Sequence, residues 1–317
     1  MKISICITTY NEEKSIGELL QSLLAQSKKA DEIIVVDGGS KDKTVEIVRH
    51  YQKKDGRIKL LTGNYSRAEG RNIGVELARN DIIAITDAGC IAQRDWLEKI
   101  TALFIHKEVD IAAGFYKMVG ETPMQKALSV FLGVTPSKFG VNFLPSARSM
   151  AFRKEAWEKV GGFPERKINT AEDTDFNYKA VKMGMKYARV KSAIVEWGMP
   201  QHLNEGLAKM HEYAKWDAMY GIWWHPTQRL SSHNIKVIFV FMRYAFGMTF
   251  VVLGVKSPLL WWMAGIGLLF YLLWAFRKVY LEFRDWRVGA WGPVIQISSD
   301  IAVMGGFIKG KTEQRKT

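Results

Sequence analysis

Asp87 lies in a sequence context that suits a residue binding a charged ligand. It directly follows the apolar run Ile82–Thr86, and the two very small residues Ala88 and Gly89 come after it. A buried strand that ends on a carboxylate, followed by small residues, lets a bulky ligand approach the backbone beside that acid. We therefore predict that Asp87 lies at the rim of a sheet, where it binds a metal ion or lies near a phosphate. The alternative is a turn-forming Asp, or one that caps a helix beginning near Asp95.

A second acidic position is the cluster Glu172-Asp173-x-Asp175, which is followed by an amphipathic helix running to Lys182. Acids in the first turn of a helix often serve only to interact with the helix dipole. A carboxylate held near a hydroxyl group can also act as a general base. From this segment alone, both interpretations stay open.

Two polar loops stand earlier in the chain. Thr8-Thr9-Tyr10-Asn11-Glu12 follows the first apolar run, and its aromatic ring could stack on a base. Asp37-Gly38-Gly39-Ser40 follows the second run, and its glycines free the backbone. Neither of these loops contains the G-x-G-x-x-G fingerprint or the G-x-x-x-x-G-K-[ST] fingerprint, which argues against the ordinary dinucleotide-binding and P-loop folds for this part of the chain.

Up to about residue 116, predicted strands alternate with predicted helices, and these elements must position the loops. Such alternation predicts a mainly parallel sheet flanked by helices. The predicted strands are Ile3–Thr8, Glu32–Asp37, Ile58–Thr62, Ile82–Thr86 and Ile111–Tyr116. The predicted helices are Lys14–Ala25, Lys43–Tyr51, Ser66–Ala78 and Asp95–Phe104. A capping box from Ser66 to Glu69 fixes the start of the third helix. Because ligands bind outside the carboxyl ends of such strands, functional side chains should collect in the loops that follow them.

The pattern loosens after residue 116. Residues 117–146 contain three prolines and an apolar, helix-like run from Met124 to Leu132. A strand over 149–153 and a short helix over 154–160 follow, and Gly161-Gly162 ends that helix.

The composition indicates a basic chain that has enough hydrophobic residues for a sizeable core and that binds an anionic partner. Its 317 residues are 48% hydrophobic, and 45 Lys and Arg oppose 32 Asp and Glu, for a net charge of +13. Such a charge favours nucleic acid, a phosphorylated small molecule or an acidic membrane surface. Nucleic acid is excluded here because no recognition motif is present. The two cysteines, Cys6 and Cys90, lie in or beside predicted buried strands and favour a reducing compartment.

Two hydrophobic runs, Ile235–Val255 and Leu259–Phe276, predict a transmembrane hairpin over residues 235–276. The second run has no charge, whereas the first includes Lys236 and Arg243, so it should tilt, shorten or face protein. The basic flank after residue 276 places 1–234 and 277–317 in the cytoplasm. The alternative is a buried helical subdomain of a soluble protein.

An amphipathic interface helix and linker are predicted over 201–234. The last apolar run, Trp291–Ile308, has Asp300 near its middle and predicts an interfacial or docked helix within a basic tail over 277–317.

Taken together, the ordered motifs resemble the family 2 glycosyltransferases, which are inverting enzymes of the GT-A fold that use nucleotide sugars. The resemblance covers roughly residues 3–217. The motifs are Ile7-Thr8-Thr9-Tyr10-Asn11-Glu12, Val36-Asp37-Gly38-Gly39-Ser40-x-Asp42-x-Thr44, Gly70-Arg71-Asn72-x-Gly74, Thr86-Asp87-Ala88-Gly89, Gly161-Gly162-Phe163 and Ala171-Glu172-Asp173-Thr174-Asp175-Phe176. It implies an α/β GT-A domain over 1–200, Rossmann-like, with a nucleotide-sugar-binding half over 1–116 and an acceptor half over 117–200, before the helical membrane region.

The resemblance also implies roles for individual residues. Those implied to bind the nucleotide sugar are Thr8, Tyr10, Glu12, Asp37, Arg67, Arg71 and Asp87. Those implied to contact the acceptor or the diphosphate are Glu172, Lys215 and Trp216. Asp173 matches the general base, and Asp37 would hydrogen-bond the base of the nucleotide. A solvated helix face is the alternative for Arg71.

Gly89 departs from the family pattern, in which an Asp-x-Asp pair after the fourth strand holds a divalent cation against the diphosphate. With Asp87 alone, Mg²⁺ or Mn²⁺ would take its remaining ligands from water and substrate phosphate.

The resemblance implies transfer from a UDP- or GDP-linked sugar to a lipid-linked or membrane-proximal acceptor, at the cytoplasmic membrane with the catalytic domain facing the cytoplasm. The alternative is a catalytically inactive, membrane-tethered nucleotide-sugar or glycan binding protein of the same fold.

Overall fold

The computed structural model describes residues 1–165, 172–221, 223–227 and 232–315, and it divides into two units. The first unit contains Met1–Met118 and Pro136–Gly198, and the second contains Val119–Thr135 and Met199–Thr317. Residues 119–135 thus group with the C-terminal helices, although the sequence pattern assigns them to the acceptor half. Ala171 of the acidic motif and residues 222 and 228–231 of the predicted linker lie outside the described residues.

Within the described residues, eight strands form one mixed sheet in the order β3-β2-β1-β4-β7-β6-β8-β5. The strands are β1 (Ile3–Thr9), β2 (Glu32–Asp37), β3 (Ile58–Thr62), β4 (Ile82–Asp87), β5 (Cys90–Ala92), β6 (Ile111–Val119), β7 (Met150–Arg153) and β8 (Tyr187–Gly198). The helices are α1 (Ile16–Leu24), α2 (Thr44–Lys54), α3 (Arg67–Leu77), α4 (Trp96–Thr101), α5 (Pro123–Leu132), α6 (Lys154–Val160), α7 (Glu172–Lys182), α8 (Leu203–Tyr220), α9 (His233–Gly254), α10 (Pro258–Phe283) and α11 (Trp286–Gln314).

The first four strands are parallel, as the alternation of strands and helices predicts. In β1, β2 and β4 most side chains are apolar and nearly all residues are buried, as expected for a sheet covered on both faces. The rest of the sheet differs from a mainly parallel one, because β7 runs antiparallel to β4 and β6, and β5 runs antiparallel to β8.

An aromatic cluster packs α7 onto the sheet. The rings of Phe163 and Phe176 lie 4.6 Å apart, and Phe152 of β7 lies 5.8 Å from Phe176. All three rings are fully buried. Glu172 lies four residues before Phe176, so both side chains point from the same face of α7 toward the interior. The apolar cluster therefore holds the acidic first turn of α7 in place.

Helices make up most of the second unit, and two of them are strongly apolar. α9 and α10 are long and apolar enough to cross a membrane, by length and composition. Only 11% and 6% of their most apolar 18-residue windows are buried. A core helix of a soluble protein would be mostly buried, so this exposure does not fit the alternative of a buried helical subdomain.

Close contacts between α11 and its neighbours explain the small residues of α11. A Cβ atom added at Gly306 would overlap the backbone of His211 on α8, and one at Gly292 would overlap the backbone around Ala275 on α10. Near the middle of α11, Asp300 accepts a hydrogen bond from Arg243 of α9 at 2.6 Å. Arg243 therefore faces protein, which is one of the arrangements expected for a charge in that run.

Candidate active site

The carboxyl ends of three neighbouring strands bring the first predicted site residues together. In the register of the sheet, Thr8 of β1 lies beside Asp87 of β4, and Thr9 lies beside Asp37 of β2. β1 is the middle strand of these three. Asp87, with 29% of its side chain exposed, therefore lies at the rim that the sequence predicts.

Arg71 forms ion pairs with Asp87, at the end of β4, and with Glu172 of the acidic motif. Its Nη2 donates to Asp87 Oδ1 at 2.7 Å, and its Nη1 donates to Glu172 Oε1. Only 4% of the Arg71 side chain and 3% of the Glu172 side chain are exposed. Arg71 thus lies in the site rather than on the solvated helix face that was its alternative. Glu172 serves as a buried partner of Arg71, so its predicted contact with acceptor or diphosphate stays a prediction.

The charges around Asp87 favour its ionised form. Burial of this carboxylate favours the neutral form, but the charges of Arg71, Arg148 and Arg67 together hold the pKa of Asp87 below its ordinary value. The pKa of Arg71 is lowered by burial, which the charge of Asp87 opposes. Asp87 is therefore an anion at neutral pH in a surrounding rich in cations.

Two features of α3 allow Arg71 to reach this position. The capping box predicted at Ser66 and Glu69 is confirmed, and it fixes the start of the helix. A Cβ atom added at Gly70 would lie 3.0 Å from Thr8 Cγ2, and one at Gly74 would lie 3.3 Å from Cys6 Cβ. The glycines of this motif thus allow α3 to pack closely on β1.

Asn72, the next residue, holds the segment before α7. Its Oδ1 accepts hydrogen bonds from the Phe163 backbone at 2.8 Å and from Trp157 Nε1 at 3.2 Å. Its Nδ2 donates to the Phe163 carbonyl at 2.8 Å. Gly162 has φ +72°, and a Cβ atom there would lie 3.0 Å from Asn72 Oδ1, so only glycine fits without strain. Sequence analysis gave Asn72 no role, because its partners lie about 90 residues away.

Asp173 is anchored at the start of α7. Its Oδ2 accepts a hydrogen bond from the Ala147 backbone at 3.0 Å, and its Oδ1 accepts one from the Thr174 backbone at 2.7 Å. The side chain is half-buried. The charge of Asp173 also acts on Arg71, so Asp173 lies near the residue that contacts Asp87, and its role as a base stays a prediction.

The loop after β2 uses Asp37 to fix its own shape. The Asp37 side chain is buried, and its Oδ1 accepts backbone hydrogen bonds from Gly39 at 3.0 Å and Ser40 at 2.9 Å. Its Oδ2 accepts from Ser40 Oγ at 2.5 Å. Because these bonds occupy both carboxylate oxygens, Asp37 orders the loop, and its contact with a nucleotide base stays a prediction.

The loops after β1 and β2 are joined to each other. Asn11 has φ +54°, and its Oδ1 accepts a hydrogen bond from the Lys41 backbone at 2.9 Å. The backbone of Glu12 donates to Thr44 Oγ1 at 2.8 Å. Tyr10, just before Asn11, is 57% exposed, as a ring available for stacking requires. The two loops therefore form one surface beside the strand ends.

The remaining predicted residues fall in different places. Arg67 is exposed in the first turn of α3, and its charge acts on Asp87. Lys215 and Trp216 lie on α8 of the second unit, where Lys215 Nζ pairs with Glu313 at 2.8 Å and lies 4.6 Å from the Trp216 ring. Their predicted contact with a diphosphate stays a prediction.

The site offers a divalent cation few protein ligands. Among the described residues, no group of three His, Cys, Asp or Glu side chains is placed to hold a metal ion. Asp87 accepts a hydrogen bond from Arg71 through Oδ1 but is partly exposed at the rim, whereas Glu172 is buried against Arg71 and both oxygens of Asp173 accept backbone hydrogen bonds. One carboxylate fits an ion such as Mg²⁺ that takes its other ligands from phosphate and water.

The comparisons with known proteins agree with this architecture. The family model described as Glycosyl transferase family 2 matches residues 4–162, which is half of the chain. The chain belongs to glycosyl transferase family 2. The resemblance that the ordered motifs indicate is thereby confirmed, and the matched residues include the loops around Thr8, Asp37 and Asp87.

Two solved structures share the fold. The mannosyltransferase PcManGT from Pyrobaculum calidifontis, in complex with GDP-Man and Mn²⁺, superposes with a TM-score of 0.58 at 20% identity, covering 95% of this chain and 86% of that one. S. aureus TarS 1-349 in complex with UDP-GlcNAc gives a TM-score of 0.54 at 19% identity, covering 100% and 92%. The predicted GT-A fold is confirmed.

Sequence relatives match over a shorter stretch. The uncharacterized glycosyltransferase EpsJ of Bacillus subtilis is 28% identical over 192 residues, which are 57% of this chain and 56% of EpsJ. This family 2 chain therefore spans about half the length of the curated relatives it matches.

Proposed function

We propose that this family 2 chain is a membrane-anchored, inverting glycosyltransferase that transfers a sugar from a nucleotide diphosphate sugar to a lipid-linked or membrane-proximal acceptor. The observation that carries the proposal is the bridge from Asp87 through Arg71 to Glu172. The bridge ties the first turn of α7, which includes the candidate base Asp173, to the end of β4, and ligands of α/β proteins bind at such strand ends.

Each group in this site has a distinct part in the proposed reaction. The surface around Tyr10 binds the nucleoside, and the cations around Asp87 attract the diphosphate, which is the leaving group. Asp173 accepts the proton of an acceptor hydroxyl as the oxygen attacks the anomeric carbon. The C–O bond to the diphosphate breaks on the opposite face, so the configuration of the sugar inverts.

A divalent cation would complete the charge balance. Asp87 would be its protein ligand, and the ion would neutralise charge on the departing diphosphate. Support comes from the GT-A neighbour PcManGT, whose structure contains GDP-Man and Mn²⁺. TarS, a second neighbour, is in complex with UDP-GlcNAc, so both GDP- and UDP-linked sugars are donor candidates.

Membrane anchoring is supported by the two apolar helices α9 and α10, in whose most apolar windows only 11% and 6% of the residues are buried. Exposed apolar helices of this length match the thickness of a bilayer core. The basic residues after the second helix favour a cytoplasmic location for both flanks. An acceptor attached to a lipid would then be available at the same membrane surface.

A screen of nucleotide sugars tests the proposed reaction. The full chain, purified in detergent, is incubated with UDP- and GDP-linked sugars and a lipid extract, and the release of nucleoside diphosphate is measured. We expect release with at least one donor, increased by the extract. Binding of nucleoside diphosphate without release from any donor would instead support the inactive binding protein, and absence of both would contradict the use of nucleotide sugars.

A further inference from the structure

Arg148 is one of the cations near Asp87, and the proposed reaction gives it no individual role. It stands in the segment before β7, and its Cζ lies 4.0 Å from the centre of the Trp197 ring and 5.2 Å from that of Tyr116. Both rings are 7% exposed, whereas Arg148 is half-buried. A guanidinium that lies over aromatic rings uses its face for this contact, and its N–H donors point along the plane of the group.

The backbone on both sides of Arg148 is firmly held. Ala147, just before it, donates its N–H to Asp173 Oδ2 at 3.0 Å. Ser149, just after it, accepts a hydrogen bond from Trp96 Nε1 at 2.9 Å through its Oγ, and its carbonyl accepts one from Gly114 at 3.0 Å. Arg148 is therefore fixed between the candidate base and the core of the first unit.

The rings that Arg148 contacts adjoin the Asp87 loop. Trp197 of β8 pairs with Cys90 of β5, and Cys90 lies three residues after Asp87. A Cβ atom added at Gly89 would lie 3.9 Å from Trp197 Nε1. Arg148 thus belongs to the surroundings of Asp87 as well as those of Asp173.

Arg71 and Arg148 differ in what they can offer a ligand. Arg71 is almost fully buried and donates to Asp87 and Glu172. Arg148 is half-buried over an aromatic support, which limits the conformational entropy lost when it binds an anion. A planar guanidinium fork matches the oxygen atoms of a phosphate.

We propose that Arg148 is a substrate-binding residue whose guanidinium, supported by Trp197 and Tyr116, binds a phosphate oxygen in the active site. This inference rests on the proposed function. The phosphate belongs to the diphosphate of the donor or to a phosphate-bearing lipid acceptor, and the chemistry of recognition is the same for both.

Calorimetric titration of the full chain in detergent tests the donor phosphate. UDP, UMP and uridine, with the matching guanine series, are titrated into wild type, Arg148→Gln and Arg148→Lys. We expect Arg148→Gln to weaken nucleoside diphosphate binding about tenfold or more while nucleoside binding stays unchanged. Arg148→Lys should have an intermediate effect, because it keeps the charge and loses the planar fork.

Arg153→Lys is the matched control for an arginine with a structural role. Arg153 Cζ lies 5.5 Å from the Phe104 ring, and the residue pairs with Ile82 at the start of β4, the end opposite Asp87. We expect it to leave nucleotide affinity unchanged. If Arg148→Gln fails to fold, as judged by its thermal unfolding, the comparison of Arg148→Lys with Arg153→Lys decides the question.

Sugar transfer to polyprenyl phosphate in micelles tests the acceptor phosphate. Unchanged nucleotide binding with a KM for polyprenyl phosphate raised about tenfold would assign Arg148 to the acceptor. If Arg148→Gln changes neither quantity while wild type binds and transfers, the inference on Arg148 is wrong and the proposed function stands. If wild type neither binds a nucleoside diphosphate nor transfers a sugar, both are overturned.

Discussion

Glu172→Gln, which removes one charge from the buried bridge, should destabilise the first unit. Arg71 and Glu172 are 4% and 3% exposed, so the substitution leaves a buried guanidinium with Asp87 as its remaining carboxylate partner. Breaking a buried ion pair by removing one partner costs ~3–5 kcal/mol. Because Asp87 still compensates part of the charge, we expect the lower end, about 3 kcal/mol, which lowers the unfolding midpoint by about 6–12 °C in a domain of this size.

A double-mutant cycle separates the interaction from the effect of each substitution. Arg71→Gln, Glu172→Gln and the double variant are unfolded in detergent while tryptophan fluorescence is recorded. We expect a coupling of about 2 kcal/mol or more between these two residues. Glu155 and Lys159 form an exposed control pair on α6, 3.9 Å apart, whose cycle should give at most about 0.5 kcal/mol. Equal couplings in the two cycles would refute the buried bridge.

Three further predictions concern stability. Gly306→Ala should destabilise the second unit by ~1–3 kcal/mol, because its Cβ atom would overlap the backbone of His211, whereas Gly305→Ala, with ordinary contacts, should be neutral or stabilising in thermal unfolding. Asp300→Asn should cost ~1.5–3 kcal/mol in the same assay, since it removes the carboxylate that accepts a hydrogen bond from the partly exposed Arg243 at 2.6 Å. Glu32→Gln should reduce the acid sensitivity of unfolding. Burial opposes ionisation of Glu32, but hydrogen bonds from Lys59 and the Arg79 backbone lower its pKa, so its contribution is present above about pH 4.5 and is lost as pH falls through the folded pKa.

Local sequence signals predicted the part of the fold that holds the nucleotide side of the candidate site. The strand before Asp87 and the capping box at Ser66 depend on neighbours within a few positions, so periodicity and residue type reveal them. The helix over Pro123–Leu132 agrees with the predicted apolar run Met124–Leu132 for the same reason. Its grouping with the second unit depends on contacts distant in sequence, which such signals do not contain.

Contacts between residues far apart in the chain could not be predicted from the sequence, and the reason is physical. Arg71 and Glu172 are separated by 101 positions, and they meet because antiparallel β7 and the Phe163–Phe176 contact bring α7 onto the sheet. The rings of Tyr116 and Trp197, on which Arg148 lies, come from two strands that are neighbours in the sheet but not in the sequence. An arginine between Ala147 and Ser149 carries no local sign of such a support.

Sugar transfer by Asp173→Asn tests the proposed function most directly. With a donor identified by the screen, turnover should fall about 100-fold or more, while nucleoside diphosphate affinity stays near that of wild type. Asp175→Asn is the matched control, because Asp175 lies in the same helical turn and pairs with Lys179 at 3.6 Å, so its loss should change turnover by less than about twofold. Asp173→Asn with near-normal turnover to a hydroxyl acceptor would contradict the account.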